Sequence, residues 1–284
     1  MTYSIPSKVL NNGISMPMVG LGVYDIPSRD TQCVVEEAIE EGYRSIDTAA
    51  MYRNEEGVGA AVRATGIPRE DVFITTKICD PCFSEKETMR AVEKSIHRLG
   101  IEYVDLMLLH WPVGDPTVMW RTLEGLNMQG LFRAIGVSNF YPNTFPLIAD
   151  NAKVMPVVNQ CECSVLYQQR KLVEYLKPCN VALEAWSPLA EGKHGVATNP
   201  VLAKIGARYG KTAAQVALRF LVQNGIIIIP KTTHRERMRE NIALFDFELS
   251  DSDMAEIRSL DTGHRASVWP PDALSYDPKK DNEL

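Results

Sequence analysis

No apolar run in this sequence approaches the roughly 20 residues that a membrane-spanning helix needs. The densest patch, Ile226 to Ile229, is strand-sized. Met1 to Leu10 lacks a basic stretch followed by an apolar one, so no secretory signal is visible and a cytoplasmic location is expected. Positive charge is not in excess: 30 Lys and Arg face 36 Asp and Glu, for a formal net charge of −6. The basic residues are also scattered, so the footprint of a nucleic-acid binder is missing, and neither nucleic acid nor membrane is expected as a partner. Cys79-x-x-Cys82 has no second pair to complete a zinc site, and Cys161-x-Cys163 has the wrong spacing to supply one. The six cysteines are therefore expected as free thiols, with no metal. A dinucleotide fingerprint is missing too. Gly20-Leu21-Gly22 meets Asp25 where a third glycine belongs, and Gly57-Val58-Gly59 does not follow a strand. No linker, low-complexity segment or second domain stands out, so 1–284 reads as one domain.

What is present is a repeat of strand, turn and helix. Short apolar runs occupy Met18 to Gly22, Arg44 to Asp47, Val72 to Lys77 and Tyr103 to His110. Four more follow at Phe132 to Ser138, Val157 to Cys161, Val181 to Trp186 and Ile226 to Pro230. Helical periodicity lies between them, at Asp30 to Glu41, Ser84 to Leu99 and Thr212 to Val222. Ser84 and Glu87 form a capping-box pattern. Shorter helices are expected at Asn241 to Leu244 and Ser250 to Leu260. Continuous apolar strands, each followed by a helix, imply a parallel sheet covered by helices. Eight such units in 284 residues predict an α/β fold of the (β/α)8 TIM-barrel type, with an open doubly wound sheet as runner-up. Lys8 to Met16, with its Asn12-Gly13 pair, predicts an N-terminal β-hairpin at about residues 7–16 that plugs the barrel's N-terminal face. The Pro-rich tail from Trp269 to Pro278 reads as a short loop.

Active sites of such barrels lie at the C-terminal ends of the strands. The runs end there in Asp47, Lys77, His110, Ser138-Asn139, Asn159-Gln160, Glu184-Ala185-Trp186 and Lys231-Thr232. Taken singly, each has a plainer reading: Asp47 as a helix cap, Lys77 as solvated surface, His110 as a structural residue, and Tyr52 as packing. Their placement on successive strand ends favours a site. Tyr52, five residues past Asp47, has an ordinary pKa of about 10 and needs help to act as an acid. A nearby ammonium is expected to lower it, an aspartate to hold the ammonium, and a histidine to donate to a substrate carbonyl or share the phenol's proton. Together these groups suit polarising a C=O and protonating the alkoxide formed from it.

The sequence around these residues resembles the aldo-keto reductases. GYRSIDTAAMY from Gly42 to Tyr52 is similar to that family's first signature, and RAIGVSNF from Arg133 to Phe140 to its second. Ile229 to Thr232, followed by Arg237 and Glu240-Asn241, resembles the third; Met16 to Gly22 and Leu109 to Pro112 fit as well. The resemblance implies a barrel that binds an extended nicotinamide dinucleotide, with Asp47, Tyr52, Lys77 and His110 as a catalytic tetrad. It assigns Ser138, Asn139 and Gln160 to the nicotinamide carboxamide and Trp186 to stacking on the ring, with Ser187 and Leu189 also on the cofactor. Lys231, Thr232 and Arg237 match a pocket for the adenosine 2′-phosphate, which implies NADPH ahead of NADH. Asn241 is matched to the adenine, with Glu240 beside it.

Ile78 stands where many members place Trp or Leu, and the loop between Trp111 and Trp120 is short. The short loop, together with a short tail after the last helix, resembles the compact microbial-type members, such as the 2,5-diketo-gluconate and methylglyoxal reductases and the prostaglandin F synthase-like ones, while Ile78 bears on substrate size. An open pocket walled by Tyr24, Trp111 and Trp269 is implied. The resulting expectation is a monomeric enzyme that reduces a small aldehyde or ketone. The alternative is a non-catalytic cofactor-binding barrel, channel-associated or structural, against which the intact tetrad argues.

Overall fold

The structure, a computed structural model, describes residues 5–267. The expected loop from Trp269 to Pro278 lies outside the described residues. A hairpin of β1 (Ser7–Val9) and β2 (Ser15–Pro17) comes first, paired antiparallel with Lys8 opposite Met16. Gly13 takes φ +84° in its turn, a backbone conformation that side chains resist. The hairpin does cover the N-terminal face. Lys8 Nζ donates to the Gly225 carbonyl at 2.8 Å, and Asn11 Nδ2 to the Pro156 carbonyl at 2.8 Å.

Eight parallel strands follow: β3 (Leu21–Gly22), β4 (Ser45–Asp47), β5 (Phe73–Ile78), β6 (Val104–Leu109), β7 (Phe132–Ser138), β8 (Val158–Glu162), β9 (Ala182–Trp186) and β10 (Ile227–Ile228). The helices alternate with them. In order they are α1 (Ser28–Glu40), α2 (Glu55–Ala64), α3 (Glu85–Leu99), α4 (Pro116–Met128), α5 (Pro146–Ala149), α6 (Arg170–Leu176), α7 (Pro200–Tyr209), α8 (Ala213–Gln223), α9 (Arg235–Ile242) and α10 (Asp251–Arg258). Strands pair in sequence order from β3 to β10. The first and last then meet. Val19 bridges Ile228 in parallel, Gly20 N donates to the Ile228 carbonyl at 2.9 Å, and Ile228 N donates to the Met18 carbonyl at 3.0 Å. That seam leaves no sheet edge, so the open doubly wound alternative is excluded and the (β/α)8 barrel stands.

β3 and β10 are shorter than the apolar runs that predicted them. Pro17 precedes the first run and Pro230 ends the last, and a proline has no N–H to add to the ladder. Ser84 caps α3 as expected, accepting from Glu87 N at 3.3 Å; the return bond, however, runs from Phe83 N to Glu87 Oε2 at 2.8 Å. α9 differs more. Expected at Asn241 to Leu244, it runs from Arg235 to Ile242. Its first turns are almost wholly charged, so no apolar period announces them. Arg235 and Arg239 instead tie the helix to Glu40 and Glu41 at the end of α1.

α2 and α3 approach closely at Gly59, where an added Cβ would lie 1.6 Å from the Leu99 carbonyl oxygen. Gly59→Ala is therefore expected to lose about 1–3 kcal/mol of stability by overpacking, despite alanine's better helix propensity. A urea melt with an unchanged or raised midpoint would contradict this close approach.

Candidate active site

Alternation along the strands sets the site. Asp47 ends β4 and lies in register with Thr75 of β5, so Lys77, two residues further on, shares its interior face. Lys77 Nζ donates to Asp47 Oδ1 at 2.6 Å, to the Thr48 carbonyl at 2.9 Å and to Tyr52 Oη at 3.3 Å. Three acceptors use all three hydrogens of the ammonium. A single 3-10 turn, Ala50–Tyr52, carries the phenol back over the strand ends, and Arg53 ends it in a left-handed conformation, φ +56°. His110 follows β6, anchored by its N–H to the Ile78 carbonyl at 3.0 Å. Its ring meets that of Tyr52 edge-on at 5.8 Å. The structure thus brings together the four residues expected as a tetrad. Lys77 is wholly buried, Asp47 and His110 nearly so, and Tyr52 half-buried.

The electrostatics depart from expectation at one point. Burial pushes the Tyr52 phenol up to about 12; the Lys77 charge opposes it, while Asp47 adds to the rise. The ammonium does pull the phenol down, as expected, but burial outweighs it. Tyr52 therefore keeps its proton through the neutral range. Burial alone would lower Lys77, but the Asp47 carboxylate and Tyr52 reverse this, and the group stays an ammonium. Burial, followed by the Lys77 charge, holds His110 well below the usual imidazole range, so it is neutral. Its Nδ1 has no hydrogen-bond partner among the described residues.

Across the barrel mouth lies a second polar group. Ser138 ends β7, and Asn139 turns away at φ +63°. Trp186 Nε1 donates to Asn139 Oδ1 at 3.0 Å, Asn139 Nδ2 donates to the His110 carbonyl at 3.1 Å, and Ser138 Oγ donates to the Gln160 carbonyl at 2.9 Å. The indole is thereby held in one plane, and Asn139 and Ser138 are tied to both sides of the site. Gln160 Nε2 donates to Asp47 Oδ2 at 2.7 Å and to Glu184 Oε2 at 2.8 Å. Ser187 and Leu189 lie half-buried in the loop after β9, where Ser187 also takes a left-handed backbone, φ +50°.

The expected phosphate pocket lies at the start of α9. Lys231 and Arg237 are exposed, and Arg237 forms no ion pair among the described residues. Thr232 is buried, and its Oγ1 accepts from His234 N at 3.1 Å. No side chain caps α9, so its first-turn N–H groups remain available to an anion beside two cations. Arg239 and then Arg235 hold Glu41 down to about 2, which accounts for the two arginines that bracket Arg237 on this helix. Glu240 is turned elsewhere, accepting from Thr212 Oγ1 at the start of α8. Asn241 is buried against the Tyr43 hydroxyl.

Of the residues expected to wall the substrate pocket, Tyr24 is exposed and meets Tyr52 edge-on at 5.1 Å; Trp111 stacks with His110 at 5.9 Å. These four rings form one aromatic wall. Trp269 lies outside the described residues. Among the described residues, no three His, Cys, Asp or Glu side chains group to hold a metal, and no helix is long and apolar enough to cross a membrane. All six cysteines are free thiols.

The sequence model of the aldo/keto reductase family matches residues 18–262. The chain belongs to that family. It is 42% identical over 267 residues to the glyoxal reductase of Bacillus subtilis, covering 93% of this chain and 96% of that protein. It is 43% identical over 264 residues to the 9,11-endoperoxide prostaglandin H2 reductase of Trypanosoma cruzi, covering 92% and 93%. A Bombyx mori aldo-keto reductase, crystallised in complex with NADP, superposes with a TM-score of 0.87 at 32% identity, over 93% of this chain and 95% of that one.

Within this aldo/keto reductase barrel, one contact escapes sequence reasoning, and one strand-end residue was given no role by it. The Thr48 carbonyl that receives Lys77 carries no sequence signal, since every residue has a carbonyl. Glu184 did carry one: it stands two residues before Trp186 on a strand, and so faces the same interior.

Proposed function

We propose that this chain reduces small aldehydes and ketones to alcohols with NADPH, acting as a monomer in the cytoplasm. The observation that carries the proposal is the Lys77 ammonium, bonded at once to Asp47 and to the Tyr52 hydroxyl inside the barrel mouth. The cofactor assignment is supported by the available donors. Gln160 Oε1 accepts nothing among the described residues, which suits an amide N–H, and the open start of α9 with Lys231, Thr232 and Arg237 suits a phosphate. Trp186 would stack on the ring, with Ser138, Asn139, Ser187 and Leu189 around it, and Asn241 would lie toward the adenine.

NADPH, when bound, supplies hydride to the carbonyl carbon. The chain's own residues handle the proton. Tyr52 Oη holds it throughout the neutral range and gives it to the carbonyl oxygen as negative charge develops there. An alkoxide is far more basic than a phenolate even at about 12, so the transfer is downhill. Lys77 stabilises the phenolate that remains, and Asp47 keeps Lys77 charged and in place. His110, neutral, offers one N–H to orient the carbonyl. The wall of Tyr24 and Trp111 excludes water and accepts apolar substituents.

The test is loss of NADPH absorbance with a panel of aldehydes that includes glyoxal, methylglyoxal and an aromatic aldehyde. NADPH binding without any turnover would sink the reductase reading in favour of a silent cofactor-binding barrel. A second measurement addresses the phosphate pocket. Arg237→Ala is expected to weaken NADPH binding about tenfold, the worth of one charge-assisted hydrogen bond, and NADH binding hardly at all. Equal losses for the two cofactors would remove the 2′-phosphate assignment.

A further inference from the structure

The tetrad rests on a second carboxyl group. Glu184, on β9, is fully buried, and the mechanism above does not use it. A carboxyl costs free energy there, because it is removed from water and lies close to the charge of Asp47. Both hydrogens of the Gln160 amide are spent on carboxyl oxygens, at 2.7 Å on Asp47 and 2.8 Å on Glu184. Turned over, the amide would set its oxygen against the Asp47 carboxylate, which can only accept, so its orientation is dictated by chemistry. Gln160 Oε1 is therefore directed away from both carboxyls. Asp47 is in turn divided, with Oδ1 on Lys77 and Oδ2 on Gln160. The remaining oxygen of Glu184, Oε1, has no partner among the described residues.

We propose that Glu184 is a positioning residue: it locks Gln160 with the amide oxygen open to a cofactor N–H, and it couples that oxygen to the Asp47–Lys77–Tyr52 chain. This rests on the reductase reading. With an apolar residue at 184, only Asp47 would hold the amide, and Gln160 would be free to rotate about that single bond.

Coupling to the chain has a pH signature. Burial, and then the Asp47 charge, lift Glu184 to about 8, while Gln160 and Lys77 pull the other way. Charged groups face it from β4 (Asp47) and β5 (Lys77); Gln160 of β8 is neutral, and β10 sets Ile227 in register with it. Below about 8, Glu184 is neutral and Asp47 is the carboxylate that balances Lys77. Above it, a second negative charge offsets the ammonium. Lys77 then stabilises the Tyr52 phenolate less, the phenol holds its proton more tightly, and reduction slows.

The experiment uses the full chain and two variants, Glu184→Leu and Glu184→Gln. NADPH affinity is read by fluorescence titration at pH 7, and kcat is read from pH 6 to 9.5 with a saturating aldehyde. Glu184→Leu is expected to raise the NADPH Kd about tenfold, the worth of one hydrogen bond, and Glu184→Gln, which keeps an acceptor for Gln160, to restore it to within about threefold. Wild-type kcat is expected to fall as pH rises through about 8, and Glu184→Gln, which cannot ionise, to lose that fall. Equal Kd values for all three proteins would overturn the proposal, as would a fall near pH 8 that survives in Glu184→Gln. If Glu184→Leu does not fold, the Glu184→Gln pH profile decides alone. Wild-type chain that binds no NADPH would fail the reductase reading itself; normal binding and turnover with indifferent Glu184 variants would fail this inference alone.

Discussion

Tyr52→Phe is expected to lower kcat about 10³-fold while leaving the NADPH Kd within about twofold, since general acid catalysis is typically worth about 10²–10⁴. The substitution removes one oxygen and keeps the ring. Phenylalanine at 52 still meets Tyr24 and His110 edge-on, so the aromatic wall survives. Lys77 loses its 3.3 Å acceptor but keeps Asp47 and the Thr48 carbonyl. What disappears is the proton that meets the developing alkoxide. Water is a poor substitute in a wall of rings, and His110, held neutral by burial, does not replace a phenol backed by an ammonium. Steady-state turnover with a parallel NADPH titration separates the two effects. Near-normal turnover would remove Tyr52 as the acid. A large loss of NADPH affinity would make it a cofactor ligand instead.

Lys77→Met is expected to cost both activity and stability. Its ammonium is fully buried and pairs with an Asp47 carboxyl almost as deeply placed. Breaking a buried pair from one side leaves an uncompensated charge and typically costs about 3–5 kcal/mol. The lower end, about 3 kcal/mol, is expected here, because Asp47 can take up a proton once its cation is gone and burial already pushes that carboxyl up. For a chain of this size the midpoint should fall by about 6–12 °C. kcat should fall at least as far as in Tyr52→Phe, because the phenolate loses the cation beside it. Adding Asp47→Asn to Lys77→Met should return much of the stability and none of the turnover. Thermal melts and aldehyde turnover on the single and double variants check this; a wild-type midpoint in Lys77→Met would contradict the buried pair.

The site was more legible than its charges. Asp47, Lys77 and His110 stood out because each ends an apolar strand, and a strand's period of two puts alternate residues on one face. Tyr52 was legible by its distance from Asp47 and by the signature around it. The arginines of α9 were harder. Arg235, Arg237 and Arg239 alternate along a charged stretch, and the sequence offers no reason to single out the middle one beyond the family resemblance. The fold supplies the reason: Glu40 and Glu41, nearly 200 residues earlier, claim the outer two. Glu240 shows the converse. It follows the family pattern, yet in this fold its carboxylate sits against Thr212 at the start of α8.

The sequence alone determined the number of strand–helix units, the face each strand-end group would share, and the family, because period and local order are written in consecutive residues. Tertiary structure decided three things that depend on distance in space. It closed the sheet through Val19 and Ile228, more than 200 residues apart, and so excluded the open alternative. It brought Gln160 between Asp47 and Glu184, joining side chains of three strands that local sequence does not connect. It also set the sign of the shift at Tyr52. The neighbouring ammonium was foreseeable, but the depth of burial that outweighs it is a sum over groups from the whole barrel, and no local pattern encodes that sum.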